Sequence, residues 1–266
     1  AFDLETTGLH AVADRVVEIG AIKFQGDQVF QTLEVLVDPG IPIPPEATAV
    51  HGITDVMVRG APGVAEVLPG FLRFLEGSVP VAYNAPFDMA FLGYDLARAG
   101  LPLPPNPFLD ACLLTRMLFP GFPTYSLLSL AAFLGLEVHP HHRALADARA
   151  CMAVFLRCLN RLGRGAPFFE DLLAVHGAPF QLGALVTGKL PPTPKLGALR
   201  EAIEMGKAVR IEYRDGKGGT SVRTITPYLL MPFRGEVYVE AFCHLRQDTR
   251  RFRLDRIRHI TFEREP

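Results

Sequence analysis

Asp3 and Glu5 stand in Phe2-Asp3-Leu4-Glu5-Thr6-Thr7-Gly8, Asp88 in Asn84-Ala85-Pro86-Phe87-Asp88, and His142 with Asp147 in His142-Arg143-Ala144-Leu145-Ala146-Asp147. Four carboxylates offer hard oxygen ligands for a pair of divalent cations, and a histidine titrates where a base can activate water. These are the parts that two-metal phosphodiester hydrolysis requires. No single motif suffices, since Asp-x-Glu alone equally fits an edge strand with a solvated acidic face. The weight lies in all three motifs occurring together and in order.

The spacing fixes where each group must sit. Phe2 to Glu5 alternates apolar and acidic, so in a strand Asp3 and Glu5 share one face and Phe2 and Leu4 the other. Thr6-Thr7-Gly8 ends that strand, placing both carboxylates at its mouth. Asp88 follows a short apolar strand over 79–83 and the breaker Asn84-Ala85-Pro86. Pro86 suits the first turn of a helix, so Asp88 lies near that helix's N-terminus, where the dipole alone would favour a carboxylate. Cys151, Met152, Phe155, Cys158, Leu159 and Leu162 recur at helical spacing, and Asp147 lies one turn earlier on the same buried side. A buried carboxylate there needs a cation or hydrogen-bond donors. His142 falls at or before the first turn, within reach of the cleft. His139 and His141 read as neighbouring loop residues.

On these residues the chain resembles the DEDDh 3′–5′ exonucleases, the superfamily of the proofreading (epsilon) subunit of bacterial DNA polymerase III. The resemblance covers roughly residues 1–164 and includes all five signature residues. Val50-His51-Gly52-Ile53-Thr54, Ala82-Tyr83-Asn84-Ala85-Pro86-Phe87-Asp88 and Leu109-Asp110 support it. It implies an α/β ribonuclease H-like fold, two Mg²⁺ or Mn²⁺ ions held by Asp3, Glu5, Asp88 and Asp147, and His142 as general base. One departure is Tyr83, where many relatives carry histidine before the Asn. That position is not a metal ligand in the family pattern, so the difference bears on substrate-strand contacts.

The chain has 266 residues, enough for two domains each with its own core. No apolar run approaches a membrane span, and no signal peptide is visible. The abrupt start at Ala1-Phe2, inside an expected strand, suggests that native N-terminal residues precede this numbering. Cys112, Cys151, Cys158 and Cys243 lack metal-ligand spacing and read as small core residues of a cytoplasmic protein. Charge is uneven. Residues 1–165 hold 11 Lys+Arg against 16 Asp+Glu, a net −5, and residues 195–266 hold 15 against 10, a net +5. Metal-binding carboxylates account for part of the acidic half. The basic half suits a polyanionic partner or a solvated surface.

Periodicity predicts strands over 15–24 and 29–37 joined as a hairpin, a helix over 64–75, and helices near 87–99, 111–118 and 126–134. Ser126 is the expected cap of the last of these and Gly135 its stop. Residues 165–194 read as a linker, with Pro and Gly at both ends. Gln181-Leu182-Gly183-Ala184-Leu185-Val186 lies where polymerase exonuclease subunits carry a sliding-clamp peptide. No aromatic ends it, so it reads as an interdomain turn.

After the linker a helix over 196–205 gives way to short strands: 209–213 and 220–226 as a hairpin, then 236–242, 251–254 and 259–262. Here the chain resembles the WYL domain, on Ile211-Glu212-Tyr213, Ser221-Val222-Arg223-Thr224-Ile225-Thr226-Pro227, Val237-Tyr238-Val239 and Arg250-Arg251-Phe252-Arg253-Leu254-Asp255-Arg256-Ile257. Of the naming triplet only Tyr238 is kept. The resemblance implies an Sm-like β-barrel over 195–266 that binds nucleic acid or a nucleotide ligand. By position, Tyr213, Arg223, Arg250, Arg253 and Arg256 are its candidate contacts. Arginines and rings on a small barrel suit single-stranded nucleic acid, and an Arg–acid network with Asp255 and Glu240 is the competing use. The expected activity is a two-metal exonuclease releasing nucleoside monophosphates, with single-stranded DNA favoured over RNA and no membrane partner. A regulator that binds nucleic-acid ends without cutting is the alternative, though binding alone would not need all five signature residues.

Overall fold

The computed structural model describes residues 1–135, 143–163, 169–183, 193–216, 218–233 and 236–262. The chain falls into two compact units, the first built on Ala1–Gly8 and Asp14–Leu182 and the second on Leu9–Ala13 and Gly183–Pro266.

In the first unit β1 (Phe2–Thr6), β2 (Val16–Gln25) and β3 (Gln28–Leu36) form an antiparallel sheet in sequence order. Gly26-Asp27 makes the β2–β3 turn, with Gly26 at φ 56°. Asp3 stands opposite Gly20, and Glu5 opposite Glu18. Phe2 and Leu4 are buried as the alternation predicts, and Phe2 packs against Phe71 and Phe108 with ring centroids 5.9 Å away in each case. The opposite face is not a solvated acidic surface, because Glu5 is buried as well.

Three helices, α1 (Pro45–His51), α2 (Asp55–Val58) and α3 (Val64–Leu75), lead to β4 (Val81–Ala82). Then come α4 (Ala85–Arg98), β5 (Pro107–Asp110), α5 (Ala111–Leu118), α6 (Leu127–Phe133) and α7 (Ala144–Leu162). β4 and β5 are parallel, so the chain must cross over between them, and α4 does so. Ser126 caps α6 by accepting from the Ser129 amide at 3.3 Å, and Gly135 follows it at φ 70°. The buried stripe of α7 runs through Asp147, Ala148, Cys151, Val154, Phe155 and Cys158.

The helix α8 (Phe169–His176) and strand β6 (Phe180–Gln181) occupy a stretch the sequence reading gives to a linker. Leu172 joins the core of Val81, Leu109, Leu114, Cys151 and Phe155, and Phe180 pairs with Phe108. The His176 side chain accepts the Asp110 amide proton at 2.9 Å through Nε2. The cue lost in the sequence is burial: eight residues of weak periodicity pack against a core built by β4, β5, α5 and α7.

In the second unit α9 (Pro194–Met205) packs on a five-stranded antiparallel sheet of order β10-β9-β8-β7-β11. The strands are β7 (Val209–Arg214), β8 (Thr220–Phe233), β9 (Glu236–Cys243), β10 (Asp248–Arg253) and β11 (Ile257–Phe262). β8 runs past the expected end at 226, with a register shift between Pro227 and Leu229 where proline supplies no amide. The Sm-like barrel is not closed: among the described residues β10 and β11 are the sheet's two edges, joined by the 3₁₀ turn Leu254–Arg256. All four cysteines are buried and free. No described helix is long and apolar enough to cross a membrane.

Leu172→Ala should destabilise the first unit by about 2–5 kcal/mol, the usual cost of emptying a buried leucine site. Urea denaturation checks this, and a change below about 0.5 kcal/mol would return 169–182 to the linker.

Candidate functional site

The strand β1 presents Asp3 and Glu5 on one face, and α7 brings Asp147 over them in its first turn. One carboxylate oxygen from each lies within 4.8 Å of the other two. An ion coordinated at about 2.0–2.6 Å by oxygen fits such a triangle, and the donors are the hard oxygens that Mg²⁺ and Mn²⁺ take.

Asp88 arrives from α4, which starts at Asn84 with φ 65°. Its Oδ1 accepts the backbone N–H of Leu4 at 3.0 Å, so the carboxylate is tied to the strand carrying the other two. It stands outside the 4.8 Å triangle. Burial pushes the Asp3 carboxyl well above the usual range, and the charges of Asp88, Glu5, Asp147 and Glu18 push it further. Burial likewise raises Asp88, against the opposing pull of the Leu4 amide, with Glu5 adding to the rise. A cation placed between them would favour the ionised forms of Asp3 and Asp88.

The loop before α4 has its own fastening. Asp110 caps α5 by accepting from the amides of Cys112 and Leu113 at 2.9 and 3.3 Å, and it also takes the Asn84 amide at 3.1 Å. The motif around Asp88 is thus pinned through Asp110 to β5. Tyr83 is half-buried and donates to the Tyr125 carbonyl at 2.7 Å, and burial raises its phenol far above the ordinary value. His51 is buried and uses Nδ1 to accept the Ile53 amide at 3.0 Å, which closes the His51-Gly52-Ile53 turn. At the end of β1, Thr7 Oγ1 accepts the Arg15 amide at 3.0 Å. A Cβ on Gly8 would come within 2.4 Å of the Asp14 carboxylate, which would have to shift to admit it.

His142 lies outside the described residues, as do His139 and His141. The next residue, Arg143, is described, and its guanidinium grips the fully buried Glu18 of β2. Sequence reasoning missed this pair. The signal was present: Glu18 is the only charged residue in the apolar run Val16-Val17-Glu18-Ile19-Gly20-Ala21-Ile22.

The candidates of the second unit are spread from the edge strand β10 to the fourth strand of the sheet, β7. Tyr213 packs edge-on against Phe252 at 5.1 Å, and its hydroxyl accepts the Arg253 amide at 3.4 Å. Arg223 donates to Ser221 Oγ at 3.0 Å. Arg253 pairs with both Asp255 and Glu236 at 2.8 Å. Arg251, rather than a neighbouring candidate, binds the buried Glu240, which Tyr228 also reaches at 3.3 Å. Arg250 lies on β10 opposite Ala241. Arg256 lines a polar cavity of about 370 Å³ with Arg214, Arg258, Asp215 and Asp255.

Residues 1–155 match the family described as Exonuclease, and residues 194–262 match the WYL domain. The DNA polymerase III subunit epsilon of Treponema pallidum is 40% identical over 157 residues, which is 58% of this chain and 73% of that protein. The PolC-type DNA polymerase III of Caldanaerobacter subterraneus is 41% identical over 161 residues, 60% of this chain but only 11% of the polymerase's length. Among solved structures, exonuclease X in complex with 5′ overhanging duplex DNA is 31% identical with a TM-score of 0.52, covering 66% of this chain and 98% of that one. The E. coli exonuclease I–single-stranded DNA complex shares the fold at 22% identity and a TM-score of 0.58, over 91% of this chain and 53% of that one. The carboxylate triangle therefore sits within a recognised frame, and the chain belongs to the exonuclease family, with a WYL domain following the exonuclease domain.

Proposed function

We propose that this chain is a metal-dependent 3′–5′ exonuclease that releases nucleoside monophosphates, with single-stranded DNA as its favoured substrate. The observation that carries this reading is the approach of Asp3, Glu5 and Asp147 oxygens to within 4.8 Å on two rigid elements. A pair of divalent cations would supply water activation and stabilisation of the departing 3′ oxygen. Asp3, Glu5 and Asp147 would hold one ion between them, and Asp88 would complete the set from α4. His142 would take the proton of the attacking water. Preference for DNA rests on the solved relatives, whose complexes hold single-stranded or 5′-overhanging duplex DNA. The catalytic domain would extend through Leu182, with the WYL domain starting near Pro194.

In the second domain a nucleic-acid strand or a nucleotide ligand is the proposed partner. Arg253 is held by two acids, so Arg250 and Arg256 are the stronger phosphate contacts of the original five. No sliding-clamp contact is proposed: Gln181 pairs in β6, Leu182 is fully buried, and residues 184–186 lie outside the described residues.

Degradation of 5′-labelled single-stranded DNA should require Mg²⁺ or Mn²⁺, stop in EDTA and shorten the strand from its 3′ end. Alanine at Asp3, Glu5, Asp88 or Asp147 should nearly abolish it, and His142→Ala should lower kcat by about 10²–10⁴. Wild-type turnover in any one of these variants would remove that residue from the site.

A second outcome concerns stability without metal. Asp3 and Asp88 have raised folded-state values, so each favours the folded state most when protonated. That contribution is lost as pH rises through the raised values. In EDTA, Asp3→Asn should therefore melt above wild type at pH 8, with the gap closing toward acid pH. Saturating Mn²⁺ should reverse the order. A variant that melts below wild type in EDTA at every pH would contradict the burial argument.

For the WYL domain, a chain ending near Pro194 should keep hydrolysis but bind single-stranded DNA more weakly, most markedly at low salt, because phosphate contacts release counterions. Arg250→Glu or Arg256→Glu should mimic it. Equal affinity and equal salt slope by fluorescence anisotropy would show that this domain holds something else.

A further inference from the structure

Glu18 has no accessible surface, and every residue of β2 from Val16 to Ile22 is buried with it. A carboxylate in that position costs several kcal/mol unless it is paired and hydrogen-bonded. Among the described residues its hydrogen bonds come from the start of α7. Arg143 Nε donates to both carboxylate oxygens at 3.0 Å, its Nη2 donates to Oε1, and the Ala144 amide donates to Oε2 at 2.8 Å. Ala144 is the first residue of α7, so Glu18 satisfies one of the amide groups that the start of a helix leaves without an internal partner. Its charge also faces the positive end of the helix dipole. The Asp147 amide donates in turn to the Arg143 carbonyl at 2.9 Å.

The same strand makes a second joint with the same helix. A Cβ on Gly20 would lie 2.1 Å from the Ala144 carbonyl carbon and the Leu145 nitrogen, so the backbones of β2 and α7 meet where only glycine fits. In the register of the sheet Glu18 is opposite Glu5, and Gly20 is opposite Asp3. The two points at which β2 grips α7 are thus the two positions that face the ligands of β1. Paired residues of an antiparallel sheet project to the same side, so Glu18 stands beside Glu5 as a like charge. Without Arg143 it would become one more unpaired carboxylate next to the site.

We propose that the Glu18–Arg143 pair is a positioning device for the metal centre: it fixes the start of α7 against β2 and thereby sets Asp147 relative to Asp3 and Glu5. Neither residue is offered as a metal ligand. The inference rests on the metal-dependent exonuclease reading above, and it is tested by metal binding as well as by turnover.

Mn²⁺ affinity of the full chain, measured by calorimetry or electron paramagnetic resonance without nucleic acid, should fall about 10–100-fold in Glu18→Gln, the range for groups that orient metal ligands. At a fixed, subsaturating Mn²⁺ concentration kcat should drop by a similar factor and recover as Mn²⁺ is raised, while KM for the oligonucleotide stays unchanged. Arg143→Lys keeps the charge but loses the two-oxygen fork, so it should fall between wild type and Glu18→Gln. Should Glu18→Gln fail to fold, Arg143→Lys decides alone. Wild-type Mn²⁺ affinity with a lowered melting temperature would overturn the proposal and leave the pair a purely structural one. A wild-type protein that binds no Mn²⁺ would instead overturn the metal-centre reading, and this inference with it.

Discussion

Mutual repulsion among carboxylates, half-buried at Asp3 and buried at Glu5, Asp88 and Asp147, is the constraint around which the first unit is arranged. Asp3, Glu5 and Asp147 converge within 4.8 Å, with Asp88 close enough to raise Asp3 further. Left to itself, the acidic face of β1 would turn outward or protonate. It is held inward by apolar packing on the reverse face, where Phe2 lies against Phe71 and Phe108, and by the helices that close over it. Burial energy from the core therefore opposes charge repulsion at the cleft, and a divalent cation held there would relieve the conflict. The chemistry of the site and the cost of folding it have the same origin.

That arrangement explains why so many supporting contacts reach across the sequence rather than along it. Asp88 holds the Leu4 amide, Asp110 holds the Asn84 amide, and Glu18 holds Arg143 and Ala144. Each contact ties the backbone of one motif to the side chain of another element. A misplacement of about 1 Å at a catalytic group can cost two orders of magnitude in rate, so rigid supports of this kind would serve the proposed chemistry. The second unit uses similar pairing for another end. Glu240, fully buried, is balanced by Arg251 and Tyr228, and Arg253 is balanced by Asp255 and Glu236. A positive domain charge therefore overstates the arginines free to meet phosphate.

The clustering of Asp3, Glu5 and Asp147 was legible because alternation in β1 and the helical stripe of α7 encode their faces directly. The hairpin of β2 and β3, the helix α3 and the Ser126 cap were legible for the same reason, local pattern matching local structure. What escaped was set by distant contacts. Glu18 looks like one polar residue in a strand until Arg143, 125 positions away, is seen to reach it. The α8–β6 segment has weak periodicity because its burial comes from β5 and α5 rather than from its own pattern. Strand identities in the WYL domain followed from β-branched runs and a glycine-rich turn. Whether the sheet closes depends on edge pairing between β10 and β11, which no local pattern reports. Among the nucleic-acid candidates, the acids that occupy Arg253 lie on β9 and the 3₁₀ turn, and only the fold brings Glu236 to it.

The most direct test of this account is anomalous diffraction from crystals soaked in Mn²⁺ with a non-hydrolysable 3′-terminal oligonucleotide. Two peaks about 3.5–4 Å apart are expected. One should lie between the carboxylates of Asp3, Glu5 and Asp147. Mn²⁺ peaks absent from that triangle while the oligonucleotide is bound in the cleft would contradict the central claim.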